Sequence, residues 1–134
     1  MIVFIDSNIP MYVAGREHPN REPSLRFLDA VRRKDVEGCT STEVLQEILY
    51  RYSALGRFDV ARDVYDLFVA MCPMIFDVTL ADTNLARDLL MKRQGMSARD
   101  AVHAAVMLNH DIAWIATFDS DFDRMAGIRR LALP

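Results

Sequence analysis

The sequence predicts an α/β fold in which a mainly parallel sheet is covered by helices on both faces. The first observation is an alternation of short β-forming runs with longer segments of helical periodicity, which is typical of parallel strands joined by helical crossovers. The β-forming runs lie at residues 2–5, 36–40, 74–78 and 112–117, with 129–133 as a candidate fifth. The second observation is length, since 134 residues suffice for one core. We therefore expect one domain over residues 1–134, built as a three-layer α/β/α sandwich with four to five strands.

Six segments carry helical periodicity, at residues 9–14, 23–34, 42–55, 58–71, 81–94 and 98–109. In the third of these, apolar residues recur on one face from Val44 to Leu55. Gly56 and Gly95 suit the ends of the third and fifth helices, because glycine readily takes the left-handed conformation that ends many helices.

Composition narrows the class of function. The longest apolar run, residues 67–72, is too short to cross a bilayer, and the N-terminus lacks an export signal, so we expect a cytoplasmic protein with no membrane association. Cys39 and Cys72 lie in apolar surroundings without a Cys-x-x-Cys pattern, which favours packing thiols over a disulfide or a zinc site. A formal net charge of −3 argues against coating nucleic acid through bulk positive charge, but it allows a local nucleic-acid site.

Acidic residues follow or begin several predicted elements at one edge of the sheet. Asp6 directly follows the first strand, and Asp119 lies two residues after the fourth. Glu43 and Glu47 lie in the first two turns of the helix that leaves the second strand, and Asp100 lies in the first turn of the sixth helix. Because ligands of open parallel sheets bind beyond the carboxyl ends of the strands, we expect these side chains to converge.

Such a cluster of carboxylates costs stability, since the charges repel and burial raises their pKa values, unless a cation neutralises it. Mg²⁺ and Mn²⁺ prefer carboxylate oxygen and water as ligands. Ions of this kind stabilise the attacking and leaving oxygens of an in-line displacement at a phosphodiester. The pattern therefore predicts that Asp6 and its neighbours hold a hard divalent ion.

Each acid taken alone also has a structural explanation. Asp6 can cap the helix that follows it, and Asp100 has the spacing of the acidic member of a capping box with Ser97. Glu43 stands three residues after Thr40, and here capping is the better interpretation.

The remaining candidates are also open to two interpretations. Glu47 has Arg51 four residues on, so a helix salt bridge explains it as well as a ligand role does. The run 118–123 contains three acids, of which one or two belong to a turn or a helix cap. His103 stands one turn after Asp100 and can approach the site, but a packed or surface histidine is the better interpretation.

Four stretches together resemble the PIN domain and, within it, the VapC-like toxins of bacterial and archaeal toxin–antitoxin pairs. They are "FIDSN", "TSTEVLQEILYRY", "MSARDAVHAAVML" and "IATFDSDF", which are similar to four family motifs in order and spacing. The match covers nearly the whole chain, and the acids of the motifs fall on Asp6, Glu47, Asp100 and Asp119. A small departure is Pro10-Met11 in place of an aliphatic pair, which affects the start of the first helix more than the chemistry.

The resemblance implies a PIN-like, metal-dependent ribonuclease that cuts RNA with a metal-activated water. It also implies a dimer, inhibited by a small cognate antitoxin whose C-terminal segment enters the active-site groove. Asp6 and Asp100 would be the main ligands of Mg²⁺ or Mn²⁺, and Glu47 and Asp119 would complete the acidic pocket, directly or through water. The side chains that would orient carboxylates or water are Asn8, Ser41 and Thr117, with Asp121 or Asp123 as an accessory.

Two other classes of protein share part of this pattern. A phosphoacceptor receiver domain also ends its first strand in an acid, but it needs an acid pair there and a lysine at a late strand end. Asp6 stands alone at that point, and Lys34 and Lys92 lie near helix ends. The other alternative is a PIN-like module that binds RNA or a protein without cutting, against which the acids of all four motifs argue.

Overall fold

The computed structural model describes residues 1–92 and 95–133, and this part of the chain contains the predicted alternation of strands and helices. The strands are β1 Ile2–Ile5, β2 Glu37–Ser41, β3 Met74–Phe76, β4 Trp114–Ala116 and β5 Arg129–Arg130. The helices are α1 Asn8–Ala14, α2 Arg21–Arg32, α3 Thr42–Ala54, α4 Phe58–Met71, α5 Leu80–Met91 and α6 Ala98–Asn109, with a 3-10 helix at Ser120–Arg124.

The strands form one parallel sheet in the order β3-β2-β1-β4-β5. From β1 the chain moves outward through β2 to β3 and then returns to the other side of β1 to form β4. Ligands of open α/β sheets bind where the strand order reverses in this way, beyond the carboxyl ends of the strands. Ile5 pairs with Ala116, so Asp6 and Thr117 leave β1 and β4 side by side at that crevice.

Helices cover both faces of the sheet, which confirms the three-layer sandwich. On one face, the Phe4 ring lies 5.7 Å from the ring of His103 on α6. On the other face, β2 and α2 approach each other closely at Gly38. A Cβ atom there would lie 2.8 Å from a methyl carbon of Val31 and 2.9 Å from one of Ile5, so a residue with no side chain permits this packing.

The predicted element boundaries differ from the structure at strand ends and at α2, which begins and ends two residues earlier than predicted. Strand β1 and helices α4 and α6 have the expected bounds, whereas β3, β4 and β5 are each shorter than the apolar runs that predicted them. Gly56 follows the end of α3 with φ of 70°, which confirms its role there. The predicted end of the fifth helix at Gln94 lies outside the described residues.

Two expectations from composition can be compared with the structure. Cys39 and Cys72 are both free and buried, which confirms that they are packing thiols. Burial among apolar groups raises the pKa of the Cys39 thiol to about 12, so it remains protonated and unreactive. Within residues 1–92 and 95–133, every helix is too short or too polar to span a membrane.

Candidate active site

A cleft of about 470 Å³ lies at the carboxyl edge of the sheet, beyond β1 and β4. Four of its lining residues are the acids of the four motifs: Asp6, Glu47, Asp100 and Asp119. They reach it from the end of β1, from α3, from the first turn of α6 and from the segment after β4. The sheet topology thus brings together acids that are spread over more than a hundred residues of sequence.

The acidic groups divide into two clusters. Asp6, Glu47 and His103 form a buried group, which we call the inner cluster. Asp100, Asp119 and Asp121 form a half-buried group, the outer cluster. In each cluster one potential ligand atom from every member lies within 4.8 Å of the others.

Asp6 is only 5% exposed, and its carboxylate accepts three hydrogen bonds. The Ser7 backbone N–H donates to Oδ1 at 2.8 Å, and the Thr117 hydroxyl donates to Oδ2 at 2.7 Å. The Asn8 amide donates to the same Oδ2 at 3.4 Å. Burial, assisted by the charge of Glu47, raises the pKa of Asp6 although His103 and Thr117 act in the opposite direction.

Glu47 and His103 form a buried pair within the inner cluster. Nε2 of His103 lies 2.5 Å from Oε1 of Glu47, and the Ser7 hydroxyl donates to Oε2 at 2.8 Å. Burial opposes ionisation of Glu47, but the hydrogen bonds from His103 and Ser7 and the charge of Arg99 hold its pKa below the ordinary value. Burial also opposes protonation of His103, but the contact with Glu47 and the charge of Asp6 raise its pKa.

The outer cluster is held by backbone hydrogen bonds at the starts of two helices. The backbone N–H of Asp100 donates to the Ser97 hydroxyl at 3.1 Å, and that of Asp121 donates to Oδ1 of Asp119 at 2.9 Å. Asp119 therefore both caps the 3-10 helix and lines the cleft, whereas at the start of α6 the cap is Ser97, and among the described residues the Asp100 carboxylate does not return the bond of a capping box. Burial, together with the charges of Asp119 and Asp6, raises the pKa of Asp100 to about 6.

Thr117 connects the two clusters. Besides donating to Asp6, its hydroxyl accepts from the Asn8 amide at 2.9 Å and from the backbone N–H of Asp119 at 3.0 Å. Asn8 in turn accepts from the backbone N–H of Phe118 at 3.4 Å. These contacts hold the start of α1 against the segment after β4.

Two of the predicted supporting residues lie apart from this network. Asp123 accepts two hydrogen bonds from Arg130, at 2.8 and 2.9 Å, and lines a hollow other than the acidic cleft. Ser41 is fully buried at the N-cap of α3, but among the described residues its hydroxyl has no hydrogen-bond partner. The structure therefore brings Asp121, but not Asp123, next to Asp100 and Asp119.

Two interpretations of acids on α3 prove wrong. Thr40 does not cap α3 with Glu43 as its partner, because the Thr40 hydroxyl donates to the backbone carbonyl of Ile5 at 3.0 Å. Glu43 instead lies 3.9 Å from Arg99. Glu47 forms ion pairs with His103 and Arg99. The expected salt bridge between Glu47 and Arg51 is absent among the described residues.

Sequence reasoning missed the Ser7 hydroxyl and underrated His103. His103 is packed, as the sequence favours, but it packs directly against the two inner acids. Its spacing of one turn from Asp100, on the buried alanine-rich face of α6, was the available signal.

The cleft also contains cationic and aromatic side chains. Arg99 lies 3.7 Å from Glu47 and also over the ring of Tyr50, at 5.8 Å from the ring centroid. Arg51 and Tyr12 line the same cleft. Acids and arginines together suit a ligand that carries phosphate and a metal ion.

Comparison with known proteins agrees with this geometry. The model of the PIN domain family matches residues 3–128. Ribonuclease VapC13 of Mycobacterium tuberculosis is 39% identical over 131 residues, which cover 98% of this chain and 100% of that relative.

Two solved structures share the fold at lower sequence identity. VapBC2 from Rickettsia felis, bound to a promoter DNA fragment, superposes with a TM-score of 0.77 at 20% identity and covers 100% of both chains. VapC20 of Mycobacterium tuberculosis, a Sarcin-Ricin loop cleaving toxin, superposes with a TM-score of 0.77 at 19% identity and covers 92% of this chain and 93% of that one. The chain therefore belongs to the PIN domain family and, within it, to the VapC group. This membership excludes the receiver-domain alternative.

Proposed function

We propose that this protein is a metal-dependent endoribonuclease and the toxin of a toxin–antitoxin pair. The observation that carries the proposal is the convergence of Asp6, Glu47, Asp100 and Asp119 on one cleft. The similarity to a relative named as a ribonuclease, over nearly the whole length of both chains, supports the same activity.

The donor set fits Mg²⁺ or Mn²⁺. Carboxylate oxygens are hard ligands, and burial together with neighbouring carboxylates raises the pKa values of Asp6 and Asp100, a cost that a bound cation would offset. Asp6, Asp100 and Asp119 would hold the ion, and Glu47 would complete the acidic pocket, directly or through water. Asn8 and Thr117 would orient Asp6, while Ser41 and Asp121 would have supporting roles.

A bound divalent ion lowers the pKa of a water molecule and stabilises the charge that develops on a phosphodiester during in-line displacement. The chain itself supplies the orientation. Three donors fix the Asp6 carboxylate, so it needs little reorganisation when substrate binds. Arg51 and Arg99 line the same cleft and are placed to bind phosphates of the RNA strand.

The partners belong to the same proposal. We expect a small antitoxin whose C-terminal segment enters the cleft and blocks the acids, and a homodimer of the toxin. We expect the pair to act in the cytoplasm, where RNA is the substrate.

The proposal is tested by incubating the purified protein with mixed cellular RNA in Mg²⁺, Mn²⁺ or EDTA and sequencing the new ends. Asp6→Asn serves as the matched variant, because it keeps the shape of the side chain and removes its charge. We expect discrete cuts that require metal and disappear in the variant. Equal behaviour of two well-folded proteins would instead favour the alternative, a PIN-like module that binds RNA or protein without cutting.

A further inference from the structure

His103 is completely buried at the base of the cleft, where packing alone does not explain an imidazole. Its Nε2 atom contacts Glu47, but Nδ1 has no hydrogen-bond partner among the described residues. Burying a polar atom without a partner costs free energy, and an apolar side chain would fill the same space without that cost. The contact with Glu47 is therefore the feature that distinguishes histidine from an apolar residue at this position.

That contact completes the fixation of Glu47. One carboxylate oxygen accepts from the Ser7 hydroxyl, and the other contacts His103. Ser7 also donates its backbone N–H to Asp6. A continuous chain of hydrogen bonds thus runs from His103 through Glu47 and Ser7 to Asp6.

His103 also limits the contact between Glu47 and the guanidinium group of Arg99, which lines the cleft. Arg99 approaches Glu47 from the cleft side at 3.7 Å, which is longer than a hydrogen bond, while His103 holds the other oxygen at 2.5 Å. Without the imidazole, Glu47 would be free to turn towards Arg99. That movement would pair the arginine with a carboxylate and would take away the acceptor of the Ser7 hydroxyl.

We propose that His103 is a positioning residue that sets the affinity of the cleft for a divalent ion by holding Glu47 in place. The inference rests on the proposed function, because it concerns the same ion. It assigns His103 no direct contact with substrate or metal.

The test is a calorimetric titration of the EDTA-treated full chain with MnCl₂, which measures affinity without reference to activity. In His103→Leu we expect the dissociation constant for Mn²⁺ to rise about tenfold or more, as is usual when a group that orients a ligand is removed. The matched control is Met107→Leu, which changes the shape of another fully buried side chain on the same helix. Met107 belongs to neither cluster. We expect Met107→Leu to bind Mn²⁺ as the wild type does.

A second comparison separates positioning from a purely structural role. In a Glu47→Ala background, His103→Leu should have no further effect on the affinity for Mn²⁺, because the residue through which it acts is absent. A purely structural role would lower the melting temperature of the ion-free protein and leave the affinity unchanged. That result would overturn the inference.

If His103→Leu does not fold, His103→Gln and His103→Asn take its place, since glutamine extends one methylene further towards Glu47 and should retain more affinity. Equal affinities of those two variants would overturn the inference. A wild type that binds Mn²⁺ and cuts RNA, with His103→Leu matching Met107→Leu, overturns this inference alone. A wild type that neither binds Mn²⁺ nor cuts RNA overturns the proposed function as well.

Discussion

The inner and outer clusters lie in one cleft but compensate their charges in different ways. In the inner cluster each carboxylate oxygen of Asp6 and Glu47 has a hydrogen-bond partner, and an imidazole lies between the two acids. The outer cluster has three carboxylates and no imidazole. Among its members, Asp121 is paired with the exposed side chain of Arg124, whose Nη2 lies 2.7 Å from Oδ1 of Asp121.

This contrast indicates which part of the site would need a cation. Glu47 is already compensated by His103, whereas burial raises the pKa values of Asp6 and Asp100, assisted by the charges of neighbouring carboxylates. We infer that the Glu47–His103 pair of the inner cluster sets the geometry of the site, while Asp6 and the outer cluster supply the negative charge that attracts an ion. The following changes test that division.

The largest expected effect is that of Asp6→Asn on RNA cleavage. Removing a residue that merely orients a metal ligand typically costs about 10–100-fold, so loss of a ligand itself should lower the cleavage rate by more than about 100-fold. The ion-free variant should melt no lower than the wild type, because the substitution removes a buried charge whose pKa is raised. The measurements are a cleavage time course and a thermal melt in EDTA. A variant that cuts RNA at the wild-type rate would contradict the assignment of Asp6.

The second expected effect is a pH dependence of stability that comes from Asp100. Its folded-state pKa of about 6 lies above the ordinary value of 3.8, so the folded protein holds the proton more tightly than the unfolded chain. The stabilisation is complete below about pH 4 and is lost as pH rises through about 6. Allowing for solvent screening, we expect the free energy of unfolding of the ion-free protein to fall by about 1–2 kcal/mol.

The check is urea unfolding in EDTA across this pH range, with Asp100→Asn as the comparison. The variant should lose the part of the pH dependence that belongs to this carboxyl. Saturating Mn²⁺ should oppose the fall in the wild type, because metal binding to the folded state stabilises it. Identical dependences of the unfolding free energy on pH in the wild type and in Asp100→Asn would contradict a raised pKa for Asp100.

Much of the fold was predictable because alternating β-forming and helical segments have few stable arrangements. Strand ends were less predictable, since apolar sequence reports burial and not strand pairing. Ile112 illustrates this: it is buried in the core but precedes the first residue of β4. Likewise Val78 packs against the core beyond the end of β3.

The convergence of the acids was predictable for a topological reason, because the carboxyl ends of parallel strands meet at one edge. Their division into two clusters was not, because it depends on side-chain contacts between distant residues. Glu47 and His103 are 56 positions apart, and no local pattern links them. The same holds for Thr117, whose hydroxyl contacts Asp6 across 111 positions.

A smaller effect is expected from Thr117→Val, which disconnects the two clusters without changing any charge. The substitution removes the donor to Asp6 and the acceptor for Asn8 and for the backbone of Asp119. We expect a loss of about 1–3 kcal/mol in stability and about tenfold in the affinity for Mn²⁺. Thr117→Ser keeps the hydroxyl and should stay close to wild type in both. A loss in Thr117→Ser as large as that in Thr117→Val would contradict the assignment to the hydroxyl, because the serine variant retains that group.

The smallest expected effect distinguishes two neighbouring acids that the sequence leaves equivalent. Asp121 lies in the outer cluster with Asp100 and Asp119, whereas Asp123 is paired with Arg130 and lines another hollow. Asp121→Asn should weaken Mn²⁺ binding by a few-fold at most, because the residue is half exposed and contributes through charge more than through orientation. Asp123→Asn should leave the affinity unchanged. Calorimetric titration of both variants checks this, and a larger loss in Asp123→Asn would place the limit of the outer cluster two residues further along the chain.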